Sequence, residues 1–230
     1  MPKRYSRIRW TEVAVLLAIV LVAALLWDTA LLFPLRSLVV FFHEISHGIA
    51  ALVTGGSIVE IQIAPGRGGL CITRGGWPFV ILSAGYVGSM LCGGTLLVLS
   101  ARWNRSQYTL GIVAVVLIAV TLLWVRPILA GGFLFGLVAG VALLACAVWA
   151  SQHVNALTLK TIGLTSCLYV LVDLFGLLRG GTGQVSDATL LAEATWLPAW
   201  FWAAFWLAIS GAVAWRLLMF ACHAQDSRQV

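Results

Sequence analysis

Long apolar runs alternate with short polar breaks along almost the whole chain. The runs fall at 11–30, 35–54, 78–100, 108–125, 128–150, 157–178 and 197–220. Each is close to the ~20 residues that carry a helix across a hydrocarbon core of about 30 Å. Little more than Asp28 to Pro34 separates the first two runs, so the pattern allows six or seven helices. The period changes over residues 57–74, SIVEIQIAPGRGGLCITR. Glu60 and Gln62 alternate there with Ile61 and Ile63 on one side of Pro65-Gly66-Arg67-Gly68-Gly69, which predicts two short strands and a turn. The fold class expected is an all-α polytopic membrane protein of about six to seven transmembrane helices, with a small β-hairpin after the second. No repeat or low-complexity tract divides the chain, so 1–230 reads as a single membrane domain.

Composition sharpens this picture in three places. Hydrophobic residues make up 61% of the chain and charged residues 10%, with a mean hydropathy of +1.01, which excludes an ordinary soluble domain. The net charge of +6 points to membrane orientation rather than to nucleic acid. Lys3, Arg4, Arg7 and Arg9 precede the first apolar run, as expected for a cytoplasmic N-terminus. That end resembles the charged and apolar regions of a signal peptide but has no clear small-x-small cleavage site, so it reads as an uncleaved anchor. The five cysteines include no CxxC pair and read as buried free thiols. Trp10, Trp27, Trp77, Trp103, Trp124, Trp149, Trp196 and Trp200 sit near run ends, where interfacial aromatic belts belong. Trp206 and Trp215 read as core filler.

Against this background the run 35–54, LRSLVVFFHEISHGIAALVT, stands apart. His43 and His47 are four residues apart and share one helical face. One turn rises about 5.4 Å, so both imidazoles can converge on one ion. Glu44 lies between them in the HExxH pattern, in which the carboxylate serves as general base beside a zinc ion. Titratable groups inside an apolar helix are costly, and a metal supplies the charge that offsets them. One zinc ion per chain is therefore expected.

Catalytic zinc commonly keeps three protein ligands and one open position. Asp173, in SCLYVLVDLFGLL, is the carboxylate most clearly inside an apolar run, where it needs a partner. Thr54 and Leu178 end their helices on the same side, which puts His47 and Asp173 at similar depth. Asp173 is thus the expected third ligand. Its structural alternative is a helix-packing carboxylate bonded to a hydroxyl such as Tyr169 or Thr165. Asp187, in GGTGQVSDATLLAE, is the second candidate, although Ser186 or Asp187 could instead cap a short helix through Glu193. Asn155 is a weaker candidate for a polar substrate contact. Small residues on 78–100 form two tracks, Ala84 with Gly88 and Gly85 with Ser89 and Gly93, that permit close helix contact. Gly48, Ala50 and Ala51 are the expected matching surface.

Taken together, FFHEISHGIAALVTGG, the hairpin after it, the glycine-rich LSAGYVGSMLCGG helix, the YVLVDLF helix and SDATLLAEATWLP resemble the site-2-protease family of membrane zinc metallopeptidases, in its compact bacterial branch. The likeness runs in order over about residues 35–205. It implies His43 and His47 as zinc ligands, Glu44 as catalytic base, and a downstream helix Asp, matching Asp173, as third ligand. It also implies a bacterial cytoplasmic membrane as location. The sequence departs from the family at Leu174, where a Gly usually follows the ligand Asp, and it lacks an Asn-Pro-rich approach.

The function expected is intramembrane zinc-dependent hydrolysis of peptide bonds in membrane-associated proteins. The partners are a membrane protein or peptide substrate and the lipid bilayer, with no nucleic acid. An edge of the hairpin could hold an extended peptide by main-chain hydrogen bonds. The alternative is a non-catalytic metal-binding membrane protein that binds partner helices. A metal-dependent transporter fits less well, because the other helices offer few polar residues to line a path. The substrate-binding residues and the oligomeric state are not legible.

Overall fold

The computed structural model describes residues 10–27, 29–64, 68–179 and 186–222. The basic N-terminal residues Lys3, Arg4, Arg7 and Arg9, Asp28, and the turn residues Pro65, Gly66 and Arg67 lie outside them. The chain forms α1 (Trp10–Leu25), α2 (Phe33–Val53), β1 (Ser57–Ala64), β2 (Gly68–Arg74), α3 (Pro78–Arg102), α4 (Ser106–Trp124), α5 (Gly131–Trp149), α6 (Gln152–Leu178), α7 (Asp187–Ala194) and α8 (Ala199–Cys222). Every apolar run is a helix, and α7 is the short helix expected after Ser186. Among the described residues, α2, α3, α4, α5, α6 and the first part of α8 are long and apolar enough to cross a membrane, and α1 is a shorter apolar helix. The protein is an integral membrane protein.

Local chemistry sets the ends of the helices around the hairpin. Pro34 and Pro78 stand in the first turns of α2 and α3, where a missing N–H costs nothing. Thr54 closes α2, its Oγ1 donating to the Ala50 carbonyl at 2.7 Å and accepting from the Trp77 N–H at 3.0 Å. The same hydroxyl therefore ties the start of the hairpin to its finish. Gly56 lies against the Gly75 backbone so closely that a Cβ would come within 2.8 Å of it, and Gly75 and Gly76 both take positive φ. Only glycine adopts such a return without strain.

The strands pair antiparallel, with Ile61 opposite Cys71 and Ala64 opposite Gly68, and a register shift between Ile58 and Glu60. The outer edge of β1 is itself engaged. Val125 forms a parallel bridge with Ile61, and the Arg126 N–H donates to the Ile61 carbonyl at 2.9 Å.

Two hydrophobic clusters flank the hairpin helix. One joins Phe41 and Phe42 of α2 to Ile61 and Ile63 of β1 and to Leu110, Leu117 and Phe133 of α4 and α5. The other joins Tyr86 and Met90 of α3 to Val170 and Leu174 of α6, Leu191 of α7, and Trp202 and Trp206 of α8. The small-residue track on α3 works at three contacts. A Cβ on Gly93 would lie 2.7 Å from the Gly163 carbonyl of α6, Gly88 abuts the Ser46 side chain, and Gly85 abuts the two histidine rings. The expected matching surface on α2 is divided: Ala50 and Ala51 meet Ile81, whereas Gly48 faces Ile58 and Cys71 of the hairpin.

Trp10, Trp77, Trp103, Trp149, Trp196 and Trp200 are exposed near element ends, and Trp206 is fully buried. Trp215 is 65% exposed, which corrects its reading as core filler. The described cysteines Cys71, Cys92, Cys146 and Cys167 are free thiols, half-buried rather than fully buried as expected.

Candidate metal centre

His43, Glu44 and His47 lie on one side of α2, facing a cleft of about 380 Å³. β2 forms one wall with Gly68, Gly69, Leu70, Cys71 and Thr73. The other walls come from Ile81, Leu82 and Tyr86 of α3, Tyr169, Asp173 and Leu177 of α6, and Ser186, Asp187 and Leu190 around the start of α7. Glycine makes room for the polar groups. A Cβ on Gly85 would sit 2.5 Å from His43 Nε2 and 2.6 Å from His47 Cε1, and one on Gly69 would sit 2.6 Å from Glu44 Cγ.

The carboxylate that meets the histidines is Asp187. Its Oδ2 lies 2.9 Å from His43 Nε2 and 3.3 Å from His47 Nε2. One ligand atom from each of the three residues falls within 4.8 Å of the others. Asp173, the expected third ligand, is not in this group. It instead accepts a hydrogen bond from the Tyr86 hydroxyl at 2.7 Å. The alternative role of a packing carboxylate held by a hydroxyl is the observed one, with Tyr86 as donor in place of Tyr169 or Thr165. Tyr86 in turn packs edge-on to His43, with ring centroids 4.9 Å apart.

Asp187 reaches the site because its neighbour performs the capping. Ser186 is the N-cap of α7, its hydroxyl accepting from the Thr189 N–H while the Thr189 hydroxyl accepts from the Ser186 N–H. That reciprocal box closes the helix end and leaves the Asp187 side chain available at the first helical position. α7 is held onto α8 by the Trp202 indole N–H, which donates to Thr195 Oγ1 at 3.0 Å.

The donor set fits a divalent metal such as zinc. His47 Nδ1 lies 2.6 Å from the Ile81 carbonyl, so it carries the proton and directs the Nε2 lone pair into the cleft. Such an outer hydrogen bond fixes the tautomer of a metal-binding imidazole. A lone pair aimed at a carboxylate oxygen requires a cation between them, either a proton or a metal ion. Burial alone would push the Asp187 carboxyl up. With a proton as that cation, His47 is charged, and its positive charge and the hydrogen bonds from both rings outweigh burial and hold the carboxyl well below the usual carboxylate range. Cys71 lines the cleft but does not join the converging group; burial, with Glu44 adding to it, pushes its thiol up to about 12.

Glu44 is 5% exposed and adjoins Gly69 and the main chain of Cys71 on the open side of β2. It is placed beside the three-ligand group without belonging to it. Asn155 plays no part in the cleft. It is buried at the start of α6 and donates to the Ala150 carbonyl at 3.4 Å.

Comparison with known proteins adds one match. The model of the family described as Peptidase M50B-like, which is related to the site-2 proteases, covers residues 16–217. No curated protein and no solved structure matches the chain significantly.

Proposed function

The chain belongs to the Peptidase M50B-like family, and from that premise we propose that it is a membrane-embedded zinc metallopeptidase hydrolysing peptide bonds of membrane-associated proteins. One observation carries the proposal: the convergence of His43, His47 and Asp187 with Glu44 alongside in a buried cleft. One zinc ion per chain would be held by these three residues, leaving a position open to water. When bound, zinc acidifies that water and polarises the scissile carbonyl.

The residues of the chain supply the rest. Glu44 takes the proton of the attacking water and returns it to the leaving amine. The Ile81 carbonyl holds the His47 ring in one orientation. The edge of β2 away from β1, which borders the cleft beside Glu44, receives the substrate as an added strand, so that main-chain hydrogen bonds keep the peptide extended. A helical peptide bond is shielded from attack, and pairing with a strand unwinds it. The support for this route is that β1 is engaged on its outer side by Val125 and Arg126, whereas β2 lines the cleft. The location that fits is a bacterial cytoplasmic membrane with the N-terminus inside.

Glu44→Gln tests the assignment. The variant is expected to keep one equivalent of zinc and to lose at least about 100-fold in cleavage of a co-reconstituted membrane substrate, in line with the contribution of a general base. Cleavage at the wild-type rate removes Glu44 from the mechanism. Zinc binding by the wild type with no product from any substrate selects the non-catalytic metal-binding reading instead.

A further inference from the structure

Asp173 poses a question that the metal centre leaves open. It is a carboxylate on an apolar helix, it is not one of the three converging ligands, and it lines the cleft. It also lines a second cavity of about 190 Å³ with Trp27, Arg36, Val40, Gly68, Tyr169 and Val172. The two spaces share Val40, Gly68, Tyr169 and Asp173, so they adjoin, and we take them together as one groove. The α2 residues along its floor, Arg36, Val40, Glu44 and His47, span about 16 Å at 1.5 Å per residue. That is the length of about five residues of extended peptide.

The Tyr86 hydroxyl is a single donor and occupies one oxygen, Oδ2. A carboxylate has roughly four acceptor positions, and a neutral amide or hydroxyl would have satisfied that phenol without placing a charge in an apolar helix. Trp27 and Tyr169, whose ring centroids are 6.2 Å apart, also line the cavity around Asp173, and aromatic rings favour a cation. Among the described residues lining this cavity the other charge is Arg36, which donates to the Trp27 carbonyl at 2.9 Å and lies over the Trp27 ring.

We propose that Asp173 is a specificity residue that receives a protonated nitrogen of the bound peptide, held to one side of the scissile bond. The nitrogen is a lysine or arginine side chain or a free amino terminus. The proposal rests on the reading of the cleft as a peptide site. Tyr86 is the positioning residue: its hydrogen bond fixes one carboxylate oxygen, and the other is the one the cation would meet. A cation so placed sets which bond of an extended substrate lies against Glu44.

The test uses binding, so that it does not depend on turnover. Zinc-loaded Glu44→Gln protein in detergent is mixed with short randomised peptides. The retained peptides are separated from free ones and sequenced by mass spectrometry. About tenfold enrichment of peptides with Lys, Arg or a free amino terminus is expected. In the double variant carrying Asp173→Asn, which still offers Tyr86 an acceptor, the enrichment disappears while zinc content stays the same. A parallel library synthesised with an acetylated amino terminus and free side chains assigns the nitrogen: retention lost with the amino-terminal acetyl group belongs to the amino terminus, and a Lys or Arg bias that persists belongs to a side chain. A second measurement needs no change at Asp173. Butylammonium should displace retained peptides where butanol at equal concentration does not.

The proposal fails if no peptide is retained, if retained peptides show no cationic bias, if Asp173→Asn leaves the bias intact or loses zinc, or if the amine and the alcohol compete equally. Phosphatidylethanolamine that copurifies with the parent and not with Asp173→Asn, with no bias among peptides, would give the carboxylate to a lipid headgroup instead. Failure of the peptidase reading looks different: cationic peptides are retained, yet the wild-type protein releases no product.

Discussion

Asp187 enters the cleft from the first turn of α7, a short helix whose end is closed by Ser186 and Thr189 and which lies outside the candidate spans. Asp173 enters from within α6, a 27-residue apolar helix, and is met by a phenol. The two carboxylates line the same cleft but face different partners, one a pair of imidazoles and the other a single hydroxyl. The difference lies in what each backbone can deliver. A residue in a long helix is fixed in depth and direction by all the packing along that helix. A residue at the start of a capped two-turn helix can be brought to a ligand position by the docking of that helix alone. Here the docking is supplied by Ala188 and Leu191, packed into the cluster around Trp206.

The sharpest way to break this comparison is to neutralise each acid in turn and measure zinc affinity by equilibrium dialysis. Asp187→Asn should weaken zinc by more than about 100-fold, beyond the 10–100-fold typical of outer-sphere partners. Asp173→Asn should stay within about threefold, the scatter expected of a residue that touches no ligand directly. Equal losses would erase the distinction between them.

A smaller effect is expected on the imidazole side. Gly85→Ala places a methyl group 2.5 Å from the His43 ring, and overpacking of this kind costs about 1–3 kcal/mol. Because the displaced groups are the proposed ligands, zinc affinity should fall about tenfold, and an unchanged affinity would mean that the rings have room to retreat. The smallest effect concerns the cap. Ser186→Ala removes a cap contributing about 1 kcal/mol, so zinc affinity should fall about fivefold and recover in Ser186→Thr. Loss without recovery would indicate that the serine acts on the site in some way other than by ordering α7.

The helices and the hairpin were legible because membrane spans announce themselves by length and the strands by alternation. The histidine pair and Glu44 were legible because their spacing is local to one helix. The carboxylate that meets them, Asp187, was legible only as the second candidate behind Asp173, and the reason is physical. The cost of a charge in an apolar helix marks a residue that needs a partner, but it does not say which partner. Asp173 met that need through Tyr86, eighty-seven positions away, and nothing in the local pattern of either residue signals the contact. Asp187 carried a signal of its own, because Ser186 followed by Thr189 can form a complete cap without it. An acid beside a cap that is already satisfied is free for another task. Gly69 and Gly85 were also visible in the sequence, but as a turn residue and a packing residue. Their role as space for Glu44 and the histidines depends on how the hairpin and α3 meet α2.

The main-chain bond from Arg126 to Ile61 also bears on how copies of this protein behave toward one another. A two-stranded sheet with both margins open can seed a ribbon, since each added strand exposes a fresh margin for the next molecule. With one margin already stitched to the segment after α4, growth has a single direction, and that direction leads into a walled groove rather than onto an open surface. Under the proposed function the hairpin would accept one strand and then stop, and sheet-to-sheet joining of neighbouring molecules is disfavoured on the β1 side.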